Sequence, residues 1–349
     1  MPKKISHIAV MRLSAMGDVA MTVPVLRAFS QQYPDIRITV ISRPFFKPFF
    51  DGIPNLSFFA FDDKERHKGF FGLLRLFRDL RKRDIDAFAD LHNVLRSVIL
   101  RTLFAFDGKK TAFVDKARAA KKALVRPDDK IFKPLPTMFD RHAEVFRQLG
   151  FPLDLSQPQF PAKAILSQDL TAVTGEKTAT WMGIAPYAQY ESKVYPADLM
   201  QQVVDRLSED KECRIFLFGG KNEVDSLAAF AKGKPNVIVV AGKINFAQEL
   251  QLISNLDLML SMDSGNAHIA AMLGVKVITL WGATHPYAGF LPFNQKMENA
   301  LTADRSQFPK IPTSVYGNKK VPGYEKAMRT ITPAAIADRV YSQLRSDPE

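Results

Sequence analysis

Two Rossmann-type α/β domains with parallel sheets are the architecture this sequence predicts, on three observations. At 349 residues the chain exceeds what one ordinary hydrophobic core accommodates. Short apolar segments alternate with longer stretches of helical period through both halves. Strands separated by helices pair in parallel, because each connection must cross over before the next strand starts in the same direction.

In the first half the predicted strands are "HIAVMRL", "IRITVIS", "LSFFAF", "IDAFADL" and "KTAFV", with helical patterns beginning near Val19, Gly69, Val94 and Thr137. The second half repeats the scheme with "ATWMGIA", "CRIFLFGG", "NVIVVAG", "DLMLSM" and "VKVITLWG". Its helices are expected over 196–209, 222–232, 246–255 and 264–273. The proline-rich "FPLDLSQPQFPAKAILSQ" has no period and reads as the linker, which gives domains at 1–165 and 166–330. A last helix, "TPAAIADRVYSQLRS", follows a polar stretch and makes up most of the tail 331–349. Ligands of such domains bind at the carboxyl ends of the strands, so a shared cleft between two facing domains is expected.

Composition narrows the function. The lone Cys213, set in "CRIFLF", excludes an internal disulfide framework and a zinc-binding cysteine cluster, and reads as a small core hydrophobe. Basic residues precede an apolar run at the N-terminus, but Arg12 and Asp18 interrupt it. No stretch approaches 18 uninterrupted apolar residues, so the expected compartment is the cytoplasm. The net charge of +12 lies wholly in residues 1–165, with 29 Lys and Arg against 17 Asp and Glu, while 166–349 is neutral. Residues 64–133 alone carry +10. Such asymmetry marks an anionic partner for the first half, and nucleic acid, an acidic membrane surface and a phosphorylated substrate all fit. Phe70, Phe71 and Phe77 stand among these basic residues at helical spacing, the pattern of a core stripe rather than a base-stacking platform.

No GxGxxG follows the first strand, and no P-loop, GxSxG elbow or HExxH helix occurs, which removes the best signal for oxidoreductase, NTPase, serine hydrolase and zinc peptidase. Three other stretches carry candidate chemistry. In "SMDSGNAHIAAMLG" a strand gives way to a helix at Asp263-Ser264-Gly265, with His268 one turn inside. Small residues at a helix start expose free N–H groups and the positive dipole end, which suits a phosphate or diphosphate. Simple capping by Asp263 or Ser264 explains the same residues. In "GIAPYAQYESKVYP" Lys193 precedes a proline-started helix, placed either to reach a phosphate or to sit in solvent. In "FLFGGKNEVDSL" Glu223 enters a first helical turn, where it can accept from ribose hydroxyls or complement the dipole.

"RLSAMGDVAMTVPVLRAF" and "SMDSGNAHIAAMLG", 245 residues apart from Asp18 to Asp263, resemble the paired motifs of glycosyltransferase family nine, the bacterial lipopolysaccharide heptosyltransferases. The resemblance runs from the first strand to the closing helix. It implies the GT-B fold, an N-terminal domain for the acceptor and a C-terminal domain for a nucleotide sugar, typically ADP-heptose. It implies Asp18 as catalytic base in an inverting transfer, with Gly17 admitting the acceptor and Ser14 orienting it. Lys193, the Ser264-Gly265 helix start and His268 would surround the departing diphosphate, Lys193 thereby sharing in catalysis. Asp263 matches the donor-site aspartate, and Glu223 falls where the family contacts ribose. The chain reads "SKVYP" where the family often has a Lys-Arg-Trp-Pro-like run, so only Lys193 and Pro196 carry over. Arg43, Arg96 and Arg101 are offered as anion contacts for the acceptor. The resemblance implies no obligatory metal, although magnesium could assist diphosphate departure. It implies an anionic lipopolysaccharide precursor as partner, peripheral contact with the inner face of the inner membrane, and no nucleic acid. The alternatives are a family member using another nucleotide sugar, a non-catalytic binding module, and a basic nucleic-acid-binding protein.

Overall fold

A computed structural model describes residues 4–345 of the chain. They fall into two compact units: 4–117 with 136–160, and 118–135 with 161–345.

In the first unit β1 (His7–Met11), β2 (Arg37–Ser42), β3 (Leu56–Ala60), β4 (Ala87–Asp90) and β5 (Lys110–Phe113) form one parallel sheet in the order β3-β2-β1-β4-β5. Central β1 is buried along its whole length, the reason its sequence reads as a continuous apolar run. Helices α1 (Met16–Ala20), α2 (Val23–Gln32), α3 (Gly69–Arg81) and α4 (Leu95–Phe106) belong to this unit, as does α6 (Met138–Leu149). The single helix expected near Val19 is two, because Pro24 lacks the amide that would continue α1. Thr137 and Asp140 cap α6 reciprocally, at 3.1 and 2.8 Å, and Gly150 ends it at φ 103°. Leu73, Leu76 and Leu80 of α3 pack with Leu100 and Phe104 of α4 on Met11 and Phe88 of the sheet.

In the second unit β6 (Thr180–Ala185), β7 (Cys213–Leu217), β8 (Val237–Val239), β9 (Leu258–Met262), β10 (Lys276–Trp281) and β11 (Ala300–Thr302) run parallel in the order β11-β10-β9-β6-β7-β8. Its helices are α5 (Arg118–Val125), α7 (Gln168–Thr174), α8 (Ala197–Leu207), α9 (Val224–Ala231), α10 (Phe246–Ser254), α11 (Gly265–Met272) and α12 (Pro333–Arg345). Cys213 is buried, which pushes its thiol up to about 12 and makes it a core hydrophobe. Closing helix α12 is no separate tail, since Ile336, Ala337 and Val340 join the core of this unit.

All ten strands the periodicity predicts are present, whereas β11 is too short to show a period. Helix α5 was hidden in a basic run, and α7 lies against the linker. The boundary at 165 needs correcting. The units divide at Phe160, and residues 118–135 belong to the second unit although the sequence places them in the first half.

Candidate functional site

In the first unit the strand order reverses between β1 and β4, so the ligand crevice of the sheet lies at their carboxyl ends. The chain leaves β1 through Arg12 and re-enters helix at α1, carrying half-buried Ser14, Gly17 and Asp18 across that crevice. Arg12 is buried beneath them. Its Nη1 donates to the Leu91 carbonyl at 2.7 Å, and its Nη2 pairs with Asp18 Oδ2 at 2.6 Å. Arg12 therefore ties the end of β4 to the carboxylate that follows β1. Asp18 Oδ2 also accepts the Ala15 amide at 3.2 Å, so the residue does brace the helix start, while its side chain stays 31% exposed. His92, just past β4, is buried with Arg12 and Asp18 both acting on its charge. Burial first, and then Arg12, lower its pKa to about 3, leaving a neutral imidazole beside the carboxylate.

The three arginines offered for the acceptor separate. Arg43 and Arg96 converge on Asp63, at 2.9 and 3.4 Å, with side chains 43% and 51% exposed, so two cations share one carboxylate at this end of the sheet. Arg101 instead pairs at 3.0 Å with fully buried Asp90 and lies 4.0 Å from the Phe113 ring centre. Its charge is committed to the fold, because Asp90 also holds the His92 and Asn93 amides.

Basic residues 78–83 lie at the other end of α3 from this crevice. The Arg83 carbonyl bonds His7 Nδ1 at the start of β1, at 2.8 Å, whereas Asp18 follows the end of that strand. Arg81 pairs with Asp107 and Arg83 stacks over Phe59. Replacing Arg78, Arg81, Lys82 and Arg83 together by Gln is therefore expected to leave the Michaelis constant for a water-soluble acceptor fragment within about twofold of wild type, since exposed charges beyond a Debye length (~8 Å) are largely screened. A tenfold rise in steady-state assays would place those residues at the acceptor site.

In the second unit the order reverses between β6 and β9, and the two loops that leave these strands carry Lys193 and Asp263. Lys193 Nζ pairs with Asp263 Oδ2 at 2.9 Å, both side chains largely buried. The lysine stem is confined by Gly317, at φ +80°, where an added Cβ would lie 2.5 Å from Lys193 Cδ. The hydroxyl of Ser192 donates to the Gly317 carbonyl at 2.6 Å and fixes the same contact. Asp263 Oδ2 also accepts from the Thr284 hydroxyl at 2.8 Å. Neither expected cap forms: Ser264 makes no side-chain bond to the first turn of α11, and its Oγ lies 3.1 Å from Ser261 Oγ instead. Eight-residue α11 thus starts on Gly265 without a capping side chain from Ser264, beside a buried lysine. His268 is buried in the next turn. Glu223 follows β7 and accepts the Gly220 amide at 2.6 Å, which satisfies the local turn.

Segment 118–135, absent from the sequence reading of this site, braces the Thr284 loop. Phe132 packs on His285 and Tyr287 with ring centres 4.9 and 4.7 Å away, and the Arg305 guanidinium carbon lies over its ring, 3.4 Å from the centre. Leu135 donates its amide to the Tyr287 carbonyl at 2.9 Å. Lys130 donates to the carbonyls of Leu124, Lys310 and Pro312, and burial lowers its pKa to about 8. Phe132→Ala is expected to lower Tm and to weaken nucleotide binding roughly fivefold, the change that about 1 kcal/mol of lost aromatic contact produces. Calorimetry on the folded variant checks it, and unchanged affinity would detach this segment from the site.

Nothing in the sequence assigns Arg12, His92, Thr284 or Phe132 to a site. Only Arg12 left a signal there, as a charge ending an otherwise apolar strand six residues before an aspartate. Among the described residues no three His, Cys, Asp or Glu side chains are grouped to hold a metal ion, and no helix is long and apolar enough to cross a membrane.

Two parallel α/β units, each with charged side chains gathered at its switch point, have the make-up of the GT-B fold. Residues 73–318 match the model of Glycosyltransferase family 9 (heptosyltransferase), and the chain belongs to that family. It is 27% identical over 287 residues to the lipopolysaccharide core heptosyltransferase OpsX of Haemophilus influenzae, covering 80% of each chain. The family 9 glycosyl transferase of Veillonella parvula has the same fold, with a TM-score of 0.76, 19% identity and coverage of 99% of this chain and 98% of that one. So has the ADP-heptose lps heptosyltransferase II of Escherichia coli, with a TM-score of 0.67, 20% identity and coverage of 97% and 98%.

Proposed function

We propose that this chain transfers heptose, with inversion, from ADP-heptose to a sugar hydroxyl of a lipopolysaccharide inner-core precursor at the inner face of the inner membrane. The observation that carries the reading is that each switch point holds an ion pair whose more exposed member differs, Asp18 over Arg12 at the first and Lys193 over Asp263 at the second. A carboxylate held by Arg12 stands at the first, and a buried lysine beside a helix start stands at the second.

Inverting transfer needs a base on the acceptor hydroxyl while the nucleoside diphosphate leaves from the opposite face of the anomeric carbon. Asp18 accepts that proton as the C–O bond forms, and the Arg12 contact fixes the carboxylate's orientation for attack. The leaving diphosphate gains negative charge as its bond to the sugar breaks. Lys193 Nζ and the first-turn amides of α11 offset that charge, with Asp263 holding the ammonium where it is needed. Glu223 then takes the ribose hydroxyls of the donor. Ser14 and Gly17 border the acceptor hydroxyl, and Arg43 with Arg96 receives anionic groups of the precursor.

The test is a panel of nucleotide sugars offered to the purified protein, read as the rise in Tm and then as turnover on a deacylated core acceptor. ADP-heptose is expected to give the largest rise and the only turnover. Turnover with a different nucleotide sugar would reassign the donor, and stabilisation without turnover would make the protein a binding module.

A further inference from the structure

Helix α3 carries an outward face that the reaction does not use. Leu73, Leu76 and Leu80 point into the core, as its amphipathic period requires. On the opposite side Phe71, Arg75, Arg78 and Lys82 are all exposed, and steps of four, three and four residues put them in one stripe along the helix. Phe71 is 80% exposed and Phe70, beside it, 57%, their rings 6.0 Å apart. The core stripe expected of these aromatics is therefore wrong for two of the three; only Phe77 turns inward, onto Phe104. Two adjacent phenylalanines held in solvent at the head of a cationic stripe need a partner that takes both characters.

We propose that this face of α3 docks the enzyme on an anionic lipid surface, with Phe70 and Phe71 entering the headgroup–acyl boundary and Arg75, Arg78 and Lys82 pairing with lipid phosphates. Charge complementarity selects this occupant. The three charged residues of the stripe are all cations, the nearby Asp79 is paired with Arg66, the stripe sits in the segment that carries +10, and basic residues along a surface helix are drawn to anionic headgroups. Arg81, paired with Asp107 off the stripe, takes no part. The proposal deepens the functional reading, since an acceptor carried by lipid must be met at the bilayer, but its test does not depend on that reading.

Full-length protein is mixed at low salt with vesicles of phosphatidylcholine alone, or with a third phosphatidylglycerol, and sedimented. Binding is expected only to the anionic vesicles and is expected to fall at least tenfold in 0.5 M salt, where charged contacts are screened. The F70S/F71S variant and, separately, R75Q/R78Q/K82Q should each lose about tenfold or more in vesicle affinity. Both should keep wild-type Tm and wild-type turnover on a deacylated, water-soluble acceptor. Absence of binding by the wild type, or wild-type binding by both variants, overturns the proposal, as does a dimer in solution that F70S/F71S dissociates. Loss of turnover on every nucleotide sugar with vesicle binding intact would defeat the functional reading alone.

Discussion

Asp18→Asn is expected to lower kcat by about 100- to 10,000-fold, the usual contribution of a positioned general base, while the Kd for the nucleotide sugar stays within about twofold. The separation follows from the architecture. Asp18 belongs to the first unit and the residues proposed for the diphosphate to the second, so on that proposal the substitution removes proton acceptance and leaves the donor's contacts in place. The amide oxygen of asparagine can still accept from Arg12 and from the Ala15 amide, so the loop is expected to hold its shape. Arg12 loses its counter-charge, and because it is buried a lower Tm is expected. Turnover under saturating donor, with calorimetric Kd and Tm measured on the same preparation, separates the base from the brace. Wild-type turnover in a folded Asp18→Asn protein would sink the assignment. A kcat loss matched by an equal loss of donor affinity would point to general disorder of the site instead.

Much of this was legible in the sequence, for physical reasons that differ from residue to residue. Strands buried on both faces write themselves as apolar runs, which is why β1 and β9 can be read directly and why the carboxyl ends that carry Asp18 and Asp263 can be placed. Where the signal failed, the determinant was non-local. Arg101 is indistinguishable in sequence from Arg96, yet one meets buried Asp90 and the other meets exposed solvent and Asp63. The charge count of 64–133 sums residues at both ends of α3, only some of which share a face. Chain order places segment 118–135 in the first domain, whereas its packing follows Phe132, Lys130 and Leu135 onto the Tyr287 and Pro312 loops. A period read along the chain cannot report a partner 150 residues away.

The second large effect is expected at Lys193, and it should divide by ligand. Lys193→Ala removes a cation assigned to the diphosphate, so affinity for the nucleoside diphosphate should fall roughly 100-fold, whereas nucleoside affinity should fall less than threefold. Removing one preorganised charge at a developing oxyanion typically costs about 100- to 1000-fold in kcat, and that loss should appear in turnover as well. The alanine variant also leaves Asp263 buried with only the Thr284 hydroxyl as partner in the described contacts, which costs stability independently of any ligand. A second variant, Asp263→Asn, distinguishes the two consequences. It keeps the lysine and its positive charge but removes the carboxylate that positions it, so diphosphate affinity should be retained within about tenfold while kcat falls. If Lys193 served only to neutralise Asp263, the double variant Lys193→Met with Asp263→Leu would recover both Tm and diphosphate affinity, because an apolar pair can replace a buried ion pair without loss of stability. Recovery of Tm alone, with diphosphate affinity still about 100-fold down, is the expected result, since the phosphate would have lost its cation whatever became of the aspartate.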